Sequence, residues 1–344
     1  MYSLLRPFLF RLDPERAHNF TLTLLRLANN SPTSNLLSSL FAFDDPRLAV
    51  TAFGLRFKNR IGLAAGYDKN GVAVRGLSAL GFGHIEVGTV TRLPQAGNPL
   101  PRVHRVPEAR AIINRMGFPN AGAEALLAQL SSLPASDTRL GINLGKSKDT
   151  PLERAAEDYC ALLTQFHARA DYVTINLSSP NTPGLRQLQT RAYLNDLLAA
   201  VMTTRKALPK RVPVLVKIAP DLVESEIDEV LQAVSDNGVD GLIATNTTIG
   251  RAGLPERSAR LEGGLSGAPL RARATEVIRY IARQTNGQLP LIGVGGIMNV
   301  ENALEKLDAG AMLIQMYTGL VYAGPGLPRA INRALVSQPG KSSR

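Results

Sequence analysis

From residue 61 onward the chain repeats one rhythm, a short apolar, β-rich run followed by a stretch of helical period. The runs are IGLAAG (61–66), HIEVGTV (84–90), RLGINLG (139–145), YVTINLS (172–178), VPVLVKIA (212–219), GLIATNT (241–247), LPLIGVGG (289–296) and MLIQMYT (312–318). Most are continuously apolar rather than alternating, as expected of strands buried on both faces. Helical periodicity fills the intervals, for example over 72–80, 152–168, 224–237 and 300–309. Eight such units in succession predict an α/β chain folded as a (β/α)8 TIM barrel. An open doubly wound sheet would usually have fewer strands, and the first strand–helix turn, AAGYDKNG (64–71), lacks its G-x-G-x-x-G spacing. The full 344 residues exceed an average domain but suit a single barrel.

The barrel is therefore assigned to residues 46–338, with a small helical extension over 1–45 and a disordered tail over 339–344. Within 1–30, Leu5, Phe8, Leu9 and Leu12 fall at helical spacing, and Asp13-Pro14-Glu15 is a helix start. A second helix then carries Ala17, Phe20, Leu24 and Leu27 on one stripe, and the turn-rich stretch 29–35 ends it. Residues 48–60 read as a hairpin turning near Phe53-Gly54. No apolar stretch approaches the ~20 residues needed to cross a bilayer. Arg6, Pro7 and Arg11 break the first apolar run, so the N-terminus is not read as a signal peptide and the body is expected in the cytoplasm.

Composition narrows the chemistry. A single Cys160 excludes an internal disulfide, a Cys-rich zinc site and a CxxC redox pair, and four scattered His predict no metal centre. A net charge of +11 favours an anionic partner such as a phosphorylated ligand, an acidic lipid surface or nucleic acid. Barrel chemistry sits at the C-terminal strand ends. There the sequence places Gly66 and Lys69, Thr89, Asn143, Asn176 with Ser178 and Ser179, then Lys217, Asn246 with Thr247, Gly295 with Gly296, and Tyr317 with Thr318. Such a ring of buried polar groups points to a polar ligand on the barrel mouth. The glycines of GVGGI (293–297) and GGLSG (263–267), with MYTG (316–319), offer bare backbone suited to a phosphate, or simply permit tight turns. Lys217 could form a Schiff base or stabilise an anion. Asp68 and Glu86 are the carboxylates expected on the rim, so a hydroxyl such as Ser179 would have to carry a proton transfer. The long connections 91–119, 178–190 and 248–270 read as lids or binding loops.

Ten ordered motifs then carry a family resemblance. They are AAGYDKNG (64–71), EVGTVT (86–91), NRMGF (114–118), GINLGKSK (141–148), NLSSPNTPGL (176–185), VKIAPDL (216–222), ATNTT (244–248), GGLSG (263–267), GVGGI (293–297) and QMYTG (315–319). Together they resemble dihydroorotate dehydrogenases over residues 1–335. The N-terminal extension, and Ser179 where another class has Cys, resemble the class 2, quinone-dependent branch.

The resemblance implies one non-covalent FMN and oxidation of (S)-dihydroorotate to orotate in pyrimidine biosynthesis, with a membrane quinone as final acceptor. It implies that Ser179 takes the proton from C5 while hydride leaves C6 for the flavin, and that Thr182 and Phe118 line the route by which Ser179 passes its proton to water. Substrate would be held by Lys69, Asn114, Asn176, Asn181, Asn246 and Thr247, with Arg115, Met116, Gly117 and Phe118 of the NRMGF motif around it. FMN would meet Ala65, Gly66, Lys69, Thr89, Asn143 and Asn176, then Lys217 and Thr245. Its phosphate end would meet Gly267, Gly296, Tyr317 and Thr318. The branch further implies a monomer peripheral to the cytoplasmic face of the inner membrane, attached through the N-terminal helices, where Arg6, Arg11, Arg16 and Arg26 flank the apolar stripe. Periodicity alone allows that stripe to pack on the barrel instead. A tRNA-modifying flavin reductase, a Schiff-base lyase and a non-catalytic phosphate-binding barrel are the competing readings. No nucleic-acid partner is expected, because the added helical domain of the RNA enzyme is missing after the eighth strand.

Overall fold

The computed structural model describes residues 2–29 and 31–337, so the expected tail 339–344 lies outside the described residues. Eight parallel strands close the barrel: β1 (Ile61–Leu63), β2 (His84–Val90), β3 (Arg139–Leu144), β4 (Tyr172–Asn176), β5 (Val214–Ile218), β6 (Gly241–Ala244), β7 (Leu291–Val294) and β8 (Leu313–Met316). Each pairs with its successor, and β8 returns to β1 through Ile314 opposite Ile61. Every strand lies inside one of the eight apolar runs. Thr89, Asn143, Asn176 and Lys217 fall within the last two residues of β2, β3, β4 and β5, and the other polar residues follow the strands, which puts them at or near the mouth.

The hairpin also forms, Val50–Ala52 pairing with Leu55–Phe57. Its turn needs left-handed backbone at both Phe53 (φ 54°) and Gly54 (φ 76°), the geometry of a two-residue hairpin turn. Phe57 closes the barrel floor edge-on against His84, their ring centroids 5.4 Å apart. His84 is fully buried, with no partner for either ring nitrogen among the described residues, and burial pulls its pKa down to about 3. The unfolded chain binds that proton near pH 6.5 and the folded one does not. Stability contributed by neutral His84 is thus complete above pH 6.5 and is lost as pH falls towards 3. Between pH 6.5 and pH 5 urea unfolding should lose about 2 kcal/mol from this residue. In a His84→Leu variant that part of the pH slope should vanish, and an unchanged slope would refute the assignment.

Two elements differ from expectation. The second helix ends at Leu27, just before the turn-rich stretch 29–35, but from Ser31 that stretch also opens a third helix that was not expected. The extension comprises α1 (Tyr2–Arg11), α2 (Pro14–Leu27) and α3 (Ser31–Phe41). Pro32 sits in the first turn of α3, where its missing N–H is no loss. The long connections after β2 and β6, read as loops, instead pair with each other. Val103–Val106, Ala111–Asn114 and Gly264–Gly267 form an antiparallel sheet with Ala111–Asn114 in the middle. Part of the GGLSG run is therefore strand, and two of its glycines answer to crowding. A Cβ on Gly263 would lie 2.2 Å from the Asn114 carbonyl oxygen, and one on Gly264 would lie 2.0 Å from Thr247 Oγ1. This sheet carries Asn114 to the barrel mouth.

Candidate active site

A cavity of about 410 Å³ begins at the C-terminal ends of the strands and runs out between α1, α2 and α3. Its inner end is polar. Ser179, Asn181, Asn246 and Thr247 line it together with Asn114, Met116, Gly117 and Phe118. Thr89, Asn176, Lys217 and Thr245 form the barrel-side wall. Ala65, Gly66 and Lys69 follow, and Gly267, Gly296, Tyr317 and Thr318 lie around the other side. Three expected residues do not line it. Asn143 sits directly beneath, its Oδ1 accepting from Thr89 Oγ1 (2.5 Å) and Asn176 Nδ2 (2.9 Å). Arg115 turns outward and donates to the Pro101 carbonyl (3.1 Å), while its own backbone N–H is spent on Arg102. Thr182 is buried in the loop behind Ser179 rather than on the cavity wall.

The two carboxylates expected on the rim are both buried below it. Asp68 accepts from the backbone N–H groups of Val72 (2.9 Å) and Ala73 (2.8 Å), fixing the turn after β1. Glu86 lies inside the barrel and accepts from Asn143 Nδ2 (2.7 Å), Gln315 Nε2 (2.9 Å) and the Tyr172 hydroxyl (3.2 Å). Neither of these two carboxylates therefore lines the wall as an acid–base partner for the candidate base. Ser179 is buried, and its Oγ accepts the Asn181 backbone N–H at 3.2 Å. That bond favours negative charge on the oxygen as its proton leaves.

Lys217 is buried with no hydrogen-bond partner among the described residues. Burial lowers its pKa, against the opposing pull of Glu86. Lys69 donates to the Gly66 carbonyl (2.7 Å), and burial lowers its pKa to about 8. At the other end of the cavity the backbone is bare. A Cβ on Gly296 would lie 2.4 Å from Arg271 Cα, and one on Gly267 would lie 2.4 Å from the Arg110 carbonyl oxygen. Beside them the Ser266 and Thr318 hydroxyls hydrogen-bond at 2.8 Å.

Sequence reasoning missed several contributors. Arg186 ties three mouth loops together, donating to the carbonyls of Ser178 (3.1 Å) and Thr247 (3.0 Å) and to Asp221 (2.9 Å). His18 lines the cavity edge-on to Tyr67, with ring centroids 5.0 Å apart, and Tyr67 meets Tyr317 at 5.5 Å. Burial, reinforced by Lys69, pulls the His18 pKa down to about 3, so the imidazole there is neutral. Nothing in the local pattern around Arg186 or His18 distinguishes either residue. Both gain meaning from segments far away in the chain.

The outer part of the cavity is apolar. Leu9, Phe10, Leu24, Leu25, Leu37 and Phe41 line it. The helices are docked by polar handles: Arg6 Nη1 donates to the Tyr322 carbonyl (3.0 Å), Tyr2 OH to that of Val321 (2.5 Å), and Arg102 pairs with Glu15 (2.7 Å). Their outward face is not covered. Leu5 (56% exposed), Phe8 (64%), Leu27 (63%) and Leu36 (60%) point to the surroundings, so much of the stripe is not ordinary barrel core. None of the described helices is long and apolar enough to cross a membrane.

Fold and site together define a (β/α)8 barrel of enzyme type, whose polar mouth is joined to an apolar channel. A family profile described as dihydroorotate dehydrogenase matches residues 47–338, and the chain belongs to that family. It is 50% identical to a dihydroorotate dehydrogenase (quinone) of Roseiflexus sp. (strain RS-1), covering 97% of this chain and 93% of the relative. Proteins of the same name from Chloroflexus aurantiacus and Chromobacterium violaceum are 52% and 51% identical, each over 97% of this chain and 95% and 97% of their own lengths. A ligand-free dihydroorotate dehydrogenase from Eimeria tenella superposes with a TM-score of 0.87 at 36% identity, covering 95% of this chain and 96% of that one. The expected activity, oxidation of dihydroorotate in pyrimidine biosynthesis, is borne out at this level, and the family is a flavoprotein family.

Proposed function

We propose that this chain holds FMN across the barrel mouth, oxidises (S)-dihydroorotate to orotate with Ser179 as the base, and delivers the electrons to a ubiquinone-type quinone reaching the cavity between α1, α2 and α3. The observation that carries this reading is the continuity of one cavity from Ser179 and Lys217 to the exposed apolar helices. The residues fit FMN at both ends. The buried Lys217 ammonium, without a hydrogen-bond partner among the described residues, suits an electron-rich ring edge, and the bare backbone at Gly267 and Gly296 suits a phosphate. When bound, FMN supplies the two-electron acceptor that links dihydroorotate to quinone.

The chain's own residues do the rest. Asn114, Asn181, Asn246 and Thr247, with Asn176 below, hold the pyrimidine ring by its amide edges. Ser179 removes the C5 proton, its developing charge steadied by the Asn181 N–H. Phe118 covers the site, and Thr182 lies on the protein side of the route by which that proton leaves. Backbone at Met116 and Gly117 completes the substrate wall. The uncovered leucines and phenylalanines of the helices, with Arg11, Arg16 and Arg26 nearby, suit a monomer lying on an anionic bilayer at the cytoplasmic face of the inner membrane.

Removing residues 2–41 is the test. Turnover with a long-chain quinone should fall at least about tenfold in kcat/KM, because the lost helices form the apolar channel wall. Anaerobic reduction of the bound flavin by dihydroorotate should change much less. A folded truncated protein losing both steps equally would refute quinone access between the helices.

A further inference from the structure

Glu86 sits fully buried inside the barrel, away from the cavity wall, and the chemistry above does not use it. It is nevertheless the terminus of a directed chain of side-chain amides. Asn246 Nδ2 donates to Asn176 Oδ1 (3.3 Å), Asn176 Nδ2 donates to Asn143 Oδ1 (2.9 Å), and Asn143 Nδ2 donates to Glu86 Oε1 (2.7 Å). Every amide nitrogen points one step closer to the carboxylate. A carboxamide is symmetric in shape and can face either way, so something must choose the direction. A carboxylate can only accept, and this choice passes upward. With Asn143 Nδ2 committed to Glu86, its Oδ1 must accept, and it takes both Asn176 Nδ2 and Thr89 Oγ1. Asn176 then presents oxygen to Asn246 and to the Ser178 hydroxyl (3.2 Å). The last amide, Asn246, has its nitrogen spent on Asn176 and Ser178, and its oxygen accepts the Thr247 backbone N–H (2.8 Å), which supports the same direction and leaves that oxygen one further lone pair at the mouth.

We infer that Glu86 is a positioning residue that fixes the polarity of the Asn143–Asn176–Asn246 relay, so that Asn246 at the mouth offers its amide oxygen, not its nitrogen, to an N–H group of the substrate ring. The inference rests on the proposed placement of the pyrimidine among these asparagines. Tyr172 and Gln315 also donate to Glu86, so the carboxylate is held from below while it orients the amides above.

The measurement is the orotate dissociation constant of the holoenzyme, read from the absorption change of its bound flavin, alongside flavin content and melting temperature. In Glu86→Gln the new amide can turn an N–H₂ towards Asn143 and release the relay, so orotate should bind about tenfold more weakly. Adding Asn143→Asp should restore binding to within about threefold, a coupling expected of directly bonded partners. The Gln at position 86 then donates upward, and the upper oxygen of the Asp still accepts from Thr89 and Asn176. A merely structural role would not predict this rescue. An unchanged constant in a flavin-loaded Glu86→Gln protein, or a double variant no better than the single one, overturns the inference. Should the single variant fail to fold, the double variant alone decides: near-parental affinity supports the relay, and a loss of tenfold or more in a flavin-loaded protein overturns it. If the parent enzyme gives no orotate-dependent flavin change, it is the proposed substrate placement that fails.

Discussion

Replacing Ser179 by alanine should slow reduction of the bound flavin by dihydroorotate by about 10²–10⁴-fold, the usual contribution of a positioned proton acceptor. The substitution removes one oxygen whose structural bond is the Asn181 N–H, and Ser179 is already packed in a buried loop tied down by Arg186. Flavin content and orotate affinity should therefore stay close to those of the parent. Single-turnover, anaerobic stopped-flow reduction is the measurement, since it separates proton abstraction from quinone chemistry. A variant that reduces its flavin at a near-parental rate would remove Ser179 from the role of base. A cysteine at the same position would be informative in a different way, because a thiol gives up its proton at lower pH than a hydroxyl and should shift the pH profile.

The second large effect is expected at Lys217. Its ammonium is buried, lines the cavity and has no hydrogen-bond partner among the described residues, so its loss removes a cation from the mouth. Lys217→Met should cost about 10²–10³-fold in flavin reduction, comparable to removing one preorganised donor from a developing anion. The pH dependence has a definite sign. Burial lowers the Lys217 pKa, so raising pH strips the cation earlier than for an exposed lysine, and reduction should fade on an alkaline limb below pH 10.5. Lys69, whose pKa burial lowers to about 8 in the same cavity, adds a limb of its own, so Lys217→Met should change the alkaline profile without abolishing it. If the limb persists unchanged in the variant, another group is responsible and the electrostatic role fails. A lysine acting as a Schiff base would instead trap with borohydride in the presence of substrate, which this reading does not allow.

The parts of this molecule that depend on local pattern were legible before any coordinates. Continuous apolar runs marked all eight barrel strands, because a strand covered on both faces has no polar side to show. Gly54 marked the hairpin turn, because glycine takes positive φ without strain, whereas Phe53 adopts it against its ordinary preference. Most of the wall of the cavity was legible too, since in a barrel the residue after a strand necessarily faces the mouth. What escaped depends on partners distant in sequence. The antiparallel pairing of Ala111–Asn114 with Gly264–Gly267 joins segments about 150 residues apart, and the glycines that permit it look like loop residues in isolation. Arg186 resembles any surface arginine until Asp221 and the Ser178 and Thr247 carbonyls surround it. Arg115 is the opposite case, a residue inside a recognisable motif whose side chain bonds the Pro101 carbonyl and does not line the cavity. The helix α3 was hidden by Asn and Ser, which favour turns and helix starts alike.

The single cavity has ends of opposite character, amides within and hydrocarbon without. Under the proposed reading, its two visitors are sorted by solubility before any specific contact is made. One is counted per volume of water and the other per area of bilayer, so the enzyme works as a junction between two phases and its rate answers to both. Crowding the lipid with competing guests, or diluting it with detergent, would throttle only the outward half of the cycle.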